Sequence, residues 1–165
     1  MTRRVLPALF AVLLLAGCGG KPAPVAGPVV GTPSVAVVSA SPSAAPITAA
    51  LVAAQIKAAV PGVKRLVTVT EDNDPNNMIG RPTGYVAAVT VYDKRVTCTS
   101  LGADCGATVE QWPTAADAKA RGEYIQSILK GGTWLGSEYD YVDGVVLIRV
   151  SGALKPSQAK AYDVR

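Results

Sequence analysis

The amino-acid sequence predicts an α+β domain: a mainly antiparallel sheet of about five strands with two to three helices packed on one face. Three observations lead there. Apolar residues recur at helical spacing in two stretches, around 47–59 and 114–130, but alternate over 63–70. Asp143-Gly144 stands between two apolar runs, the short-range mark of a hairpin. Hairpin-connected strands with helices at the ends and in the middle give the order of an α+β fold. The domain spans residues 46–165, about 120 residues, enough for one modest core.

Ile47, Leu51, Val52, Gln55, Ile56 and Ala59 share a helical face among alanines, and Pro61-Gly62 ends that first helix. Val63 to Thr70 alternates as a strand, with Leu66, Thr68 and Thr70 on one face and Val67 and Val69 on the other. A long loop leads to a second strand, Gly84 to Asp93, and a third runs from Ala107 to Trp112. Thr114 caps the next helix, with Asp117 three residues on, as in a capping box with Asp in place of Glu. Its expected stripe is Ala120, Tyr124, Ile125, Ile128 and Leu129, and Gly131-Gly132 stops it. Tyr139 to Val142 and Val145 to Val150 form the hairpin around a type I′ turn at Asp143-Gly144. A last short helix has Pro156 at its first position.

Residues 1–17 have the order of a secretion signal: Arg3 and Arg4, an apolar run from Val5 to Ala16, then small residues. The run suits a signal-peptide core and is short for a membrane span. Leu15-Ala16-Gly17-Cys18 resembles the lipobox of bacterial lipoproteins. The resemblance implies that the Cys18 thiol receives a diacylglyceryl group and that the chain is cut between Gly17 and Cys18. The protein is then held by lipid on the extracytoplasmic face of the cell membrane. Two acyl chains suffice, each buried methylene contributing about 0.8 kcal/mol. The alternatives are an ordinary secretory signal that contains a cysteine and an uncleaved anchor helix. Thr2-Arg3-Arg4 leaves the general secretory and twin-arginine routes both open. Residues 18–45, rich in Pro, Gly, Ala and Ser, read as a disordered tether with an r.m.s. span of about 30 Å. Val29-Val30 and Val35 to Val38 allow short strands as the other reading.

The whole chain carries a formal charge of +4, but from Pro46 onward 13 Lys and Arg face 12 Asp and Glu. Only short basic pairs such as Lys64-Arg65 and Lys94-Arg95 remain, so no nucleic-acid partner is expected. Histidine is absent, which removes the commonest general base and zinc ligand. No enzyme, cofactor or metal is expected, although carboxylates or a Ser-Lys pair keep catalysis chemically possible. With Cys18 assigned to lipid, Cys98 and Cys105 form an even pair, and Leu101-Gly102-Ala103-Asp104 can turn the chain back between them. A structural disulfide here contributes on the order of 2–3 kcal/mol. A redox pair usually has two intervening residues, and a zinc site needs ligands that this sequence lacks.

Glu71 to Pro82 is the densest polar stretch. Asp72, Asp74 and Asn76 alternate as in a calcium loop, but the sixth position is Asn77 and the twelfth Thr83, where Gly and Glu belong. An ordered loop is the plainer account: Asp74-Pro75 starts a turn, Asn76 and Asn77 tolerate left-handed backbone, and Arg81 pairs with a local carboxylate. Such a loop can also contact a partner.

The Asp74-Pro75-Asn76-Asn77…Gly80-Arg81-Pro82 block and Tyr85 carry a further resemblance, with Gly106 to Trp112, Thr114 to Ala118, Tyr124-Ile125, Glu138 to Tyr141, Leu154 and Pro156. Together, over about residues 64–163, they are similar to a domain of secreted proteins and lipoproteins of Gram-positive, actinobacterial-type bacteria. The resemblance brings no catalytic residue with it. Val86-Ala87-Ala88 departs from its more polar second strand, and the Cys98–Cys105 pair marks a subset. Trp112, Trp134, Tyr139 and Tyr141 offer either a face for glycan or peptide or the completion of a small core. The expected function is a non-catalytic envelope module binding a protein or glycan. The alternatives are a hydrolase using two of Glu71, Asp72, Asp74, Glu138 and Asp140, and a calcium-stabilised module.

Overall fold

A computed structural model describes residues 46–165; the expected signal segment and tether, with Gly17 and Cys18, lie outside the described residues. The elements run α1 (Ala49–Ala59), β1 (Val63–Val69), β2 (Ala87–Asp93), β3 (Gly106–Gln111), α2 (Ala115–Lys130), β4 (Glu138–Asp143), β5 (Val146–Ser151) and α3 (Pro156–Lys160). Short 3-10 turns occupy Ala103–Cys105 and Thr133–Leu135. The five strands form one sheet in the order β1-β2-β3-β5-β4, every neighbouring pair antiparallel.

Local chemistry sets the boundaries. Thr48 Oγ1 accepts from the Leu51 N–H at the start of α1, and Thr114 Oγ1 accepts from Asp117 at the start of α2. Val60 turns extended ahead of Pro61, which ends α1. Pro156 opens α3 as expected, its missing N–H being one that helix ends leave unpaired.

The helices lie on both faces of the sheet, not on one. Val89, Val91, Ala107, Val109, Val146, Ile148 and Val150 meet α1, Leu154, Ala159 and Tyr162 in one buried cluster. The intervening residues face the other way, where Ala88 and Leu147 pack with Val69, Tyr85, Trp112, and Ala118 and Ile125 of α2. The physical reason is legible in β2 and β5. Ala88 to Val91 and Val146 to Ile148 are buried at consecutive positions, and a strand buried on both faces reads as a continuous apolar run.

Three finer expectations change. The buried stripe of α2 is Ala118, Gly122 and Ile125, while Ala120, Tyr124 and Ile128 are exposed. This face of α2 seats directly on the sheet: a Cβ at Gly122 would meet Leu147 Cδ1 at 3.4 Å, an ordinary van der Waals contact. In α1, Ala49, Val52, Ala53 and Ile56 are buried and Leu51 is exposed. The hairpin pairs Asp143 with Val146, so its central residues are Gly144-Val145, one position later than a type I′ Asp-Gly turn. Of that central pair only Gly144 has positive φ, at +53°.

Candidate functional site

The polar loop between β1 and β2 is organised by Asp74. Its Oδ2 accepts from the backbone N–H of Met78 at 2.6 Å and of Ile79 at 2.9 Å, and its Oδ1 from Asn76 at 3.0 Å and from the Tyr85 hydroxyl. Burial alone would raise the Asp74 pKa; the Tyr85 hydroxyl and the three N–H groups instead hold it below the usual carboxylate value. Burial and the Asp74 carboxylate push the Tyr85 phenol the other way, well above its ordinary value. Asn76 Nδ2 donates to the Tyr85 oxygen at 3.3 Å, and Asn77 adopts left-handed backbone with φ +50°. Arg81 donates to Asn77 Oδ1 at 2.9 Å, not to the carboxylate expected for it. Both oxygens of Asp74 therefore accept from N–H and O–H donors of the loop and of Tyr85, the arrangement of an ordered loop. Asp72 lies beside it, lining an open hollow of about 370 Å³ with Glu71, Asn77 and Arg81.

A second polar assembly lies under α2, and reading the sequence for motifs misses its centre. Arg149, from β5, donates through Nη1 to Glu110 Oε1 of β3 at 2.9 Å. Its Nε and Nη2 reach the two oxygens of Glu138, from β4, at 2.9 and 2.8 Å. Glu110 is fully buried, takes a further bond from Trp112 Nε1 at 3.2 Å, and has Arg121 Nε 3.9 Å away. Gln126 of α2 reaches Asp140 Oδ2 at 2.9 Å and the Glu138 carbonyl at 3.1 Å. Burial pushes the Asp140 pKa up to about 6, the bond from Gln126 opposing it and the nearby Glu138 charge adding to it. Of the five carboxylates expected to supply a hydrolytic pair, Glu138 and Asp140 thus share this assembly, while Glu71, Asp72 and Asp74 belong to the loop. The signal for Glu110 and Arg149 was present: a charge inside an apolar strand must find a partner when both faces are covered.

Four buried side-chain atoms among the described residues have no hydrogen-bond partner: Thr90 Oγ1, Thr108 Oγ1, Arg121 Nε and Asp140 Oδ1. The register pairs Asp140 with Arg149, Arg149 with Thr108 and Thr108 with Thr90, so three of the four lie along one row across the sheet. Beside the charged floor runs a groove of about 200 Å³, bordered by Tyr124, Ile125, Ile128 and Leu129.

Cys98 and Cys105 are joined by a disulfide with their Cα atoms 4.9 Å apart. It closes the loop between β2 and β3, ending in the 3-10 turn at Ala103–Cys105. The late aromatics do not form one face. Trp112 is buried edge-on against Tyr85, with ring centroids 5.8 Å apart, and Tyr139 and Tyr141 pack against the core. Trp134 is 84% exposed. Among the described residues no helix is long and apolar enough to cross a membrane, and no cluster of three metal-ligating side chains occurs. Comparisons with protein-family models, curated proteins and solved structures find no match to this chain.

Proposed function

We propose that the chain is a surface-exposed bacterial lipoprotein whose folded part is a non-catalytic binding module of the cell envelope, facing a protein or glycan partner. The reading belongs with the Gram-positive domain that the Asp74–Pro82 block resembles. Its anchor is the Leu15-Ala16-Gly17-Cys18 motif. The observation that carries it furthest is the Cys98–Cys105 disulfide, because such bonds persist in oxidising compartments outside the cytosol. The non-catalytic part is supported by how the carboxylates are used. Asp74 is spent on backbone donors, and Glu110 and Glu138 are gripped by Arg149. Mass spectrometry of the protein extracted from membranes tests the anchor: the N-terminal peptide should begin at Cys18 and carry a diacylglyceryl group. Cys18 found unmodified and still joined to Gly17 would sink the reading.

A second reading, a carboxylate-dependent envelope hydrolase, draws on one observation. Asp140 keeps an unpartnered oxygen, has its pKa raised to about 6 and lines a hollow of about 400 Å³ beside α2. Hydrolysis of purified cell wall that vanishes in Asp140→Asn would replace the binding reading with this one.

A further inference from the structure

Two arginines border the groove of about 200 Å³ beside α2, and only one of them is spent. Arg149 commits its donors to Glu110 and Glu138. The Arg121 side chain, 16% exposed, makes no hydrogen bond within the described residues. Its nearest carboxylate oxygen, Glu110 Oε2, is 3.9 Å away, and its buried Nε has no partner. A guanidinium carries five N–H donors, and donors withdrawn from water cost free energy until an acceptor meets them. The Arg121 guanidinium carbon lies 5.9 Å from the centre of the Tyr124 ring, three residues along the same helix. Tyr124 is 56% exposed and Ile128 40%, and both border this groove with Ile125 and Leu129. Unspent donors and an apolar wall with an aromatic ring thus line one groove. Glu138 lines it too, and each oxygen of a carboxylate has a second lone pair to offer.

We propose that this groove binds one N-acetylated hexosamine ring of a glycan chain, its ring lying on Tyr124, its acetyl methyl against Ile125 and Ile128, and its oxygens taking the donors of Arg121. The inference rests on the reading of the domain as a non-catalytic binding module, and it selects glycan over protein as the partner. Three properties argue for this ligand. The first is charge. Two arginines meet two glutamates in the floor, so the floor is balanced, and an entering carboxylate would face Glu138 at a cost. A neutral ligand with oxygen acceptors and hydroxyl donors meets no such opposition. The second is size. Pockets that enclose a whole small molecule run to about 300–1,000 Å³, so this smaller groove suits one unit of a longer ligand. The third is the wall. The negative face of an aromatic ring attracts the C–H groups of a sugar. The aliphatic side chains beside it have no use for a bare sugar's hydroxyls but would bury an acetyl methyl.

Saturation-transfer NMR on the full chain in lipid nanodiscs tests this, with the N-acetylglucosamine tetramer as probe and the glucose tetramer as its match without acetyl groups. The acetyl methyl signals should take up saturation most strongly, and the glucose tetramer should bind at least about tenfold more weakly. Tyr124→Ala, at an exposed site, and Arg121→Gln should each weaken binding of the N-acetylglucosamine tetramer by about tenfold or more. Glu110 keeps Arg149 and Trp112 in the second variant, so the fold should hold, and circular dichroism checks it. Leu51→Ser, exposed on α1 across the sheet, should leave binding unchanged. No saturation of the acetyl methyls, equal binding of the two tetramers, or an affinity unchanged in either groove variant overturns the inference. Saturation of an alanine-leucine tetrapeptide in place of the sugar would give the groove to a protein partner and also overturn it. Those failures leave the binding-module reading standing. Shortened oligomers in the mixture would instead overturn the non-catalytic reading on which the inference rests.

Discussion

Arg149 donates to Glu110 at 2.9 Å inside the protein, and the same guanidinium holds both oxygens of Glu138. Glu110 is wholly buried, and Arg149 is the cation hydrogen-bonded to it. Replacing Arg149 by Met should cost about 3–5 kcal/mol, because it strands a buried carboxylate. Adding Glu110→Leu to that variant should recover part of the loss. Urea denaturation of the two variants checks both statements, and a double variant no more stable than the single one would show that packing, not charge, sets the cost.

Asp74→Ala should destabilise the domain by about 3 kcal/mol, since it leaves the Met78 and Ile79 N–H groups and the Tyr85 hydroxyl without their acceptor. Asp72→Ala should change stability by less than about 0.5 kcal/mol, its carboxylate lining an open hollow. Millimolar calcium should leave the melting temperature of the parent protein where it was. A rise that chelator reverses would restore the calcium reading of the loop.

Acid should act on two groups with opposite signs. Burial favours protonation of Asp93, but hydrogen bonds from Arg95 and then Tyr162 outweigh it and hold the pKa down at about 2, from an ordinary value of 3.8. Its contribution is present above about pH 4 and is lost as the pH falls through 2. Asp140 is raised to about 6, so its contribution is complete below about pH 4 and is lost as the pH rises through 6. Stability measured by denaturant should therefore climb from pH 2 to 4. Asp140→Asn should abolish a decline between pH 4 and 6, roughly 1 kcal/mol after solvent screening.

Reduction of Cys98–Cys105 should cost on the order of 2–3 kcal/mol, the closed loop being short. The paired substitution Cys98→Ser with Cys105→Ser should lower the melting temperature to that of the reduced protein. A larger fall in the variant would assign part of the stability to the packing of Cys105, which is fully buried.

The existence and order of the elements were legible because each carries its own local signal: apolar spacing and Pro61-Gly62 for α1, alternation in β1, Thr114 at the start of α2, Pro156 at the opening of α3. The faces were harder to read. Tyr124 and Ile128 fit a helical stripe by spacing, yet α2 turns Ala118 and Gly122 inward. The strands beneath present Arg149 and Glu138 there, and Tyr124 and Ile128 border the groove beside that charged pair. Periodicity reports what a helix could bury; the partner surface decides what it does bury. The Asp74 loop was legible as an ordered turn, whereas its link to Tyr85 spans 11 residues and has no spacing rule. The pairing of Glu110 with Arg149, 39 residues apart, depends on β3 and β5 being neighbours, which only the assembled sheet supplies.

That adjacency has a consequence for how the molecule comes together. β1, β2 and β3 form a meander, β4 and β5 a hairpin, and the two pieces are stitched along one seam where Ala107 lies opposite Val150. Each piece can zip from a nearby bend, but the seam must close a much longer stretch of chain, the slow kind of contact. A ribosome that has not yet released residue 150 has therefore made a protein with two open borders, and the ionic clasp between Glu110 and Arg149 fastens only when those borders meet.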